Sequence, residues 1–455
     1  MDHRLVGRAR VVRLAPFVAL LLAAAPALRA QDSVIAFTEV TVIPMTGEGI
    51  QRGFTVIVRG DRIAEVGPSR RVRVPEGARR IVGRGRYLMP GVAEMHAHIP
   101  GAQNAAFQEQ VLFMYLANGV TTIRGMLGQP QHLELRERAA RREIWSPTIY
   151  TSGPSFNGNS ATSPDVARRM VDEQRRAGYD FLKIHPGVPR AAFDTMAATA
   201  ARAGIRFAGH VPLDVGLDRA LEARYATIDH IDGYVEWLAG AAPGEPSGFF
   251  GLGLVDRADT SRIPDIVRRT RAAGVWIVPT QTLFETMAGG EAPETMAGWP
   301  GHEYLPAQMV QQWVTSVRNF RQQNTDQGRL DRYLRVRREL IRQLHAGGVG
   351  IVLGSDAPQW MNPPGFSIAR ELASYVRAGL TPYQALETGT RNAARYFGAA
   401  NEFGTVQVGR RADLILLDGD PLEDIANFSR QAGVMVRGRW LGREEIARRL
   451  AAFRN

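Results

Sequence analysis

The stretch Met89-Pro90-Gly91-Val92-Ala93-Glu94-Met95-His96-Ala97-His98 decides how this chain of 455 residues is to be read. A Pro-Gly turn leads into an apolar run, and two histidines at i and i+2 close it. On a strand that spacing sends both imidazoles to the same face. Seven further apolar runs follow, at 120–126, 148–155, 180–185, 206–211, 226–231, 275–282 and 349–356, with amphipathic helical stretches between them. Alternation of this kind marks βα units, and eight of them is the repeat number of a (β/α)8 TIM-type barrel in the α/β class. The barrel is expected over 89–402 and is enlarged after the sixth and seventh runs, at 239–253 and 285–301.

Outside the barrel the texture changes. Residues 35–88 read as short alternating strands broken by Gly, Pro and Asp turns, and 404–441 repeats the pattern, with strands expected at 405–408, 413–417, 434–436 and 439–441. Neither block closes a sandwich alone. Together they predict one small β-sandwich built from both chain ends, over 31–88 and 403–445, with 446–455 as a tail.

Arg4, Arg8, Arg10 and Arg13 precede an apolar run from Leu14 to Leu28, and Ala30 offers a small residue for cleavage. That is the layout of a signal peptide, with an apolar core too short to span a bilayer. Residues 1–30 are therefore expected to be removed on export. The mature protein would be periplasmic or secreted and not stably inserted in a membrane.

Composition narrows the chemistry. The chain has no cysteine, so disulfides and thiolate metal sites are excluded, and any metal must rest on His, Asp, Glu or Lys. The net charge of +11 comes without basic runs interleaved with aromatics, which points away from nucleic acid. Of 56 basic residues, only Lys183 is a lysine. Lysine can lose its proton and react as an amine, whereas arginine cannot.

The polar residues at the run ends form a set. His96 and His98 close the first run, Lys183 lies near the end of the fourth, and His210 near the end of the fifth. His230 falls in the sixth and Asp356 closes the eighth. All six converge on the barrel axis at the C-terminal ends of the strands, where this fold keeps its active site. His302 falls in the enlarged seventh loop, and His132 and His345 fall in helical stretches, where packing or solvated roles are expected.

The 89–98 stretch resembles the first-strand motif of the metal-dependent amidohydrolase superfamily. Asp180-Phe181-Leu182-Lys183-Ile184 resembles the fourth-strand lysine motif of its binuclear subgroup near imidazolonepropionase and the Xaa-Pro and Xaa-Arg dipeptidases. Gly209-His210-Val211, Asp229-His230 and Gly354-Ser355-Asp356-Ala357 match its remaining ligand strands, and Gly404–Leu414 its return into the β domain. The resemblance implies two divalent metal ions, Zn²⁺ first, with Mn²⁺, Co²⁺ or Fe²⁺ as other occupants. His96, His98 and Asp356 would hold one and His210 and His230 the other. Lys183, carboxylated by CO₂ to a carbamate, would bridge them. A metal-bridging hydroxide would attack an amide-like C–N bond, with Asp356 as general base and then general acid.

For the substrate, a small molecule, the resemblance points to Tyr234 in the segment His230–Tyr234. Arg124, ending the second run, could grip a carboxylate bidentately. His185, two residues beyond Lys183, would face the same pocket. Two other functions remain open: a lactonase or phosphotriesterase-like esterase using the same centre, and a non-catalytic metal-binding protein. A homo-oligomer is compatible with everything above.

Overall fold

Short apolar runs flanked by Gly, Pro and Asp give strands whose backbone must find partners. Here they find them in a ring. The computed structural model describes residues 1–3, 34–101 and 103–454, so the leader expected at 1–30 falls almost wholly outside the described residues.

Five strands come first: β1 Val34–Val42, β2 Gln51–Arg59, β3 Arg62–Pro68, β4 Arg79–Val82 and β5 Tyr87–Pro90. Seven barrel strands follow: β6 Val92–Ala97, β7 Val120–Gly125, β8 Thr148–Thr151, β9 Leu182–Ile184, β10 Phe207–Gly209, β11 Thr227–Asp229 and β12 Trp276–Val278. They pair in parallel as β6-β7-β8 and as β9-β10-β11-β12, and a bridge between Ser152 and Phe181 joins the two sets. Amphipathic helices separate them. Pro164–Ala177, for example, starts at a Ser163 cap with proline in its first turn and stops at left-handed Gly178.

The eighth strand is real but irregular. Ile351 bridges to Ile277 and Ala357 bridges to Ala97, while Met95 N donates to Leu353 O at 2.7 Å and His98 N to Ala357 O at 2.8 Å. The ring is thereby closed. No continuous ladder forms over 349–356, because the Glu94 carboxylate takes the Ser355 N–H and Asp356 turns into the left-handed region with φ 64°.

The last three strands are β13 Leu414–Leu417, β14 Gln431–Val436 and β15 Arg439–Gly442. They join the first five in one hydrogen-bonded order, β15-β14-β13-β5-β1-β2-β3, with β4 beside β1. The sheet folds over on itself: the Phe37 and Trp440 rings touch at 5.1 Å although three strands separate β1 from β15 in that order. Backbone bonds from Ala412 N to Asp61 O and from Ile63 N to Arg410 O tie the two ends of the sandwich together. The strand expected at 405–408 does not form. Val406 N instead donates to Pro44 O, and Val408 is left exposed, so this segment joins the two ends of the sandwich without entering a ladder. Beyond β15 the chain ends in the helix Arg443–Ala451. No helix among the described residues is long and apolar enough to cross a membrane.

Candidate metal centre

Barrel closure brings the C-terminal strand ends to one point. His96 and His98 leave β6 on the same side, and their rings lie 5.3 Å apart. His96 Nε2 and His98 Nε2 stand 3.4 and 2.7 Å from the same oxygen, Asp356 Oδ1. His230 packs 4.6 Å from His96 and 4.6 Å from His210, and His185 stacks on His210 at 5.2 Å. His96, His230 and Asp356 offer donor atoms that lie within 4.8 Å of one another. Lys183, on β9, is fully buried, and its Nζ has no hydrogen-bond partner. Gly209 makes room for it: at φ 127° a Cβ there would sit 2.3 Å from Ile184 O and 3.0 Å from Lys183 Cδ.

Electrostatics set the donors. Burial, reinforced by the neighbouring Lys183, holds His96 well below the ordinary imidazole range and pushes His210 down to about 3. Burial and the His210 ring do the same to His230. These rings are neutral at pH 7, the form that binds metal. Burial also pushes the Lys183 ammonium down to about 8, against the pull of Asp229 and Asp356. A group of neutral imidazoles, one carboxylate and an unpartnered buried amine is the donor set of an oxygen- and nitrogen-ligated divalent ion, so the residues present fit the metal that the resemblance implies.

A second layer aims the first. His230 Nδ1 donates to Thr280 Oγ1 at 2.8 Å, and that hydroxyl donates onward to Pro279 O, which leaves His230 Nε2 with its lone pair. His210 Nδ1 donates to Asp232 Oδ2 at 3.2 Å, and His96 Nδ1 lies 3.0 Å from Asp229 Oδ2. His230, Thr280 and Asp356 all have positive φ, a conformation costing about 1–2 kcal/mol each that persists only where the surroundings enforce it. Arg337 supplies part of that enforcement. It is fully buried in the helix Gln327–Ala346, and its guanidinium donates to His230 O at 2.8 Å and Pro279 O at 3.0 Å.

Two expectations about substrate contacts need correction. Arg124 does not face the cavity. It is fully buried, donating to Met95 O, Thr227 Oγ1, Tyr396 Oη and both oxygens of Asp229, so its fork is already filled. Tyr234 is fully buried as well, and its hydroxyl meets Thr270 Oγ1 at 2.8 Å. The reason lies in the turn before it: His230, Ile231 and Gly233 all take positive φ and rotate the short helix Tyr234–Leu238 away from the centre. His185, by contrast, does line the cavity, as do His96, His98, His210 and Asp356. Burial and Lys183 push its imidazole down to about 2.

Several working residues were not singled out from sequence. Asp229 and Asp232 flank His230 in the very motif quoted for it, and Glu94 lies inside the first-strand motif. Glu94 accepts from His96 N and from Ser355 N and Oγ. Thr280 and Arg337 carried no readable signal, because their roles depend on chain segments far from the ligands.

The amidohydrolase family model matches residues 87–441, most of the chain. The chain belongs to the amidohydrolase family. Imidazolonepropionase from Maricaulis maris (strain MCS10) is 32% identical over 103 residues, which cover 22% of this chain and 26% of that protein. The chain matches only about a fifth to a quarter of the length of such curated relatives. Solved structures cover far more. The bottromycin amidohydrolase AH superposes with a TM-score of 0.69 at 23% identity, over 92% of this chain and 90% of that one. A Xaa-Pro dipeptidase with bound methionine in its active site gives 0.66 at 16%, over 90% and 100%. This amidohydrolase therefore has the barrel and terminal sandwich of that fold.

Proposed function

We propose that this amidohydrolase carries two divalent ions, zinc first among the candidates, and cleaves an amide-like C–N bond in a dipeptide, an N-acyl amino acid or a cyclic amide. The observation that carries this reading is Lys183: a fully buried amine without a hydrogen-bond partner, set among neutral imidazoles. Its lowered pKa leaves free amine available at neutral pH. That amine adds CO₂ to form a carbamate and releases one proton. His96, His98 and Asp356 would hold one ion, His210 and His230 the other, and the carbamate would span both. When bound, such ions polarise a carbonyl and make water a nucleophile at neutral pH.

The chain's own groups then manage the proton. Asp356 Oδ2 accepts from Gln359 Nε2, which steers the carboxylate at the cavity floor. Asp356 takes a proton from the attacking water and returns it to the leaving nitrogen as the C–N bond breaks. Enzyme purified with zinc and bicarbonate should contain close to two metal ions per chain by elemental analysis. A stoichiometry near one with full activity would refute the binuclear reading.

Export is proposed on the arginines before the apolar run 14–28. N-terminal sequencing of the exported protein should start near Gln31. Recovery of Met1 on protein kept in the cytoplasm would overturn it.

A further inference from the structure

The cavity above the centre has a volume of about 540 Å³, enough for a small molecule. Among the described residues that line it, none is lysine or arginine, and the only carboxylate is Asp356 at the floor. This is unexpected in a chain that is otherwise rich in arginine. The guanidinium nearest to the role of carboxylate clamp, Arg124, is consumed by Asp229 beneath the ligands. Asp214, Asp232 and Glu236 line a separate depression that shares only Pro186, His210 and Phe250 with the cavity.

What the wall does offer is apolar. Phe107, Leu127, Phe250, Leu283, Met309 and Trp360 surround the opening, with the amides of Gln129 and Gln359 between them. Phe250 and Trp360 are held in place at a conformational cost, for both adopt positive φ without being glycine. Phe250 brings its ring to 5.3 Å from His230, and its carbonyl accepts from Tyr333 Oη at 2.9 Å, so the strained turn is pinned. A charged group held against such a wall loses water and gains no counter-ion from the wall itself.

Resting on the proposed hydrolysis of C–N bonds, we infer that the substrate is uncharged on both sides of the scissile bond and carries an aromatic or branched apolar flank: an N-acyl amine, a blocked peptide or a neutral cyclic amide. The same wall narrows the wider set of amides by removing free dipeptides and N-acyl amino acids, whose carboxylates it cannot pair.

The test compares N-acetylphenethylamine with N-acetyl-L-phenylalanine, which differ only by a carboxylate, on the zinc-loaded enzyme. Calorimetry reads binding, and chromatography of the same samples reads cleavage. The neutral compound should bind at least ten-fold more tightly. Equal or tighter binding of the carboxylate, or no binding of either, overturns the inference. Leu127→Arg, which places a cation in the wall, should shift the ratio at least five-fold toward the carboxylate; an unchanged ratio also overturns it. Preferential cleavage of N-acetyl-L-phenylalanine would sink this inference and leave the hydrolase reading standing. Tight binding of the neutral amide with no turnover of any amide would do the reverse.

Discussion

On the proposed carbamate bridge, Lys183→Ala should lose more than about a hundred-fold in turnover, together with occupancy of the second proposed ion. Groups that merely orient a metal ligand are worth about 10–100-fold, and a bridging ligand contributes to both ions directly. Formate, acetate or propionate added to Lys183→Ala should restore part of the activity, because a free carboxylate fills the space left by the carbamate. Lys183→Arg should not be rescued. Its guanidinium keeps its charge, cannot take up CO₂ and would lie beside bound cations at a cost of several kcal/mol. An ordinary ion-pairing lysine would behave in the opposite way, tolerating arginine and losing about 1 kcal/mol on truncation. Turnover, elemental analysis and acid rescue read together decide the matter. Near wild-type turnover with two metals in Lys183→Arg removes the carbamate.

Arg124→Leu acts by a different route. Arg124 and Asp229 are both fully buried, and the Asp229 carboxylate also meets Thr227 Oγ1 at 2.6 Å and His96 Nδ1. Burial works against the Asp229 carboxylate, yet Arg124 and Lys183 hold it below its usual range. Removing one partner of a buried pair costs about 3–5 kcal/mol, because the other charge is left without compensation. The variant should unfold at markedly lower denaturant in the metal-free state. It should also bind an ion at His96 about 10–100-fold more weakly, since Asp229, the group beside His96 Nδ1, loses the guanidinium that anchors it. A substrate clamp would instead raise KM alone and leave the unfolding midpoint where it was. Unchanged stability with a raised KM would return Arg124 to the substrate.

The contrast between the proposed ligands and Arg124 shows what this sequence carries and what it leaves out. The convergence of His96, His98, Lys183, His210, His230 and Asp356 was legible because strand periodicity and the ends of apolar runs fix both face and height along the barrel. Arg124 also lies near a strand end and on a readable face. Its side chain nevertheless lies below the ligands, because Asp229, 105 residues away, and Tyr396, 272 residues away, form an anchor that no local pattern announces. Tyr234 is turned aside by a bend in which His230 and Ile231, as well as Gly233, take positive φ, and at those first two positions ordinary turn chemistry gives no signal. The segment 405–408 alternates like a strand, but its backbone is spent at the seam with Pro44. Barrel and sandwich are nevertheless legible because each rests on many runs at once.

The order of strands in the terminal sheet has a bearing on how the polypeptide matures. β5 pairs with β1 on one side and with β13 on the other, although more than 300 positions of chain lie between β5 and β13. While the ribosome is still making the barrel, β5 therefore presents a bare backbone edge, and the apolar faces of β1 and β2 lack their lid. Such an edge is a template for pairing with other chains. Native assembly must wait for the last-made strands, a long-range closure of the kind that slows folding and leaves nascent chains vulnerable to aggregation. A holdase guarding the first ninety residues until synthesis ends would answer that hazard, and a chain clipped before Leu414 would keep its edge open for good.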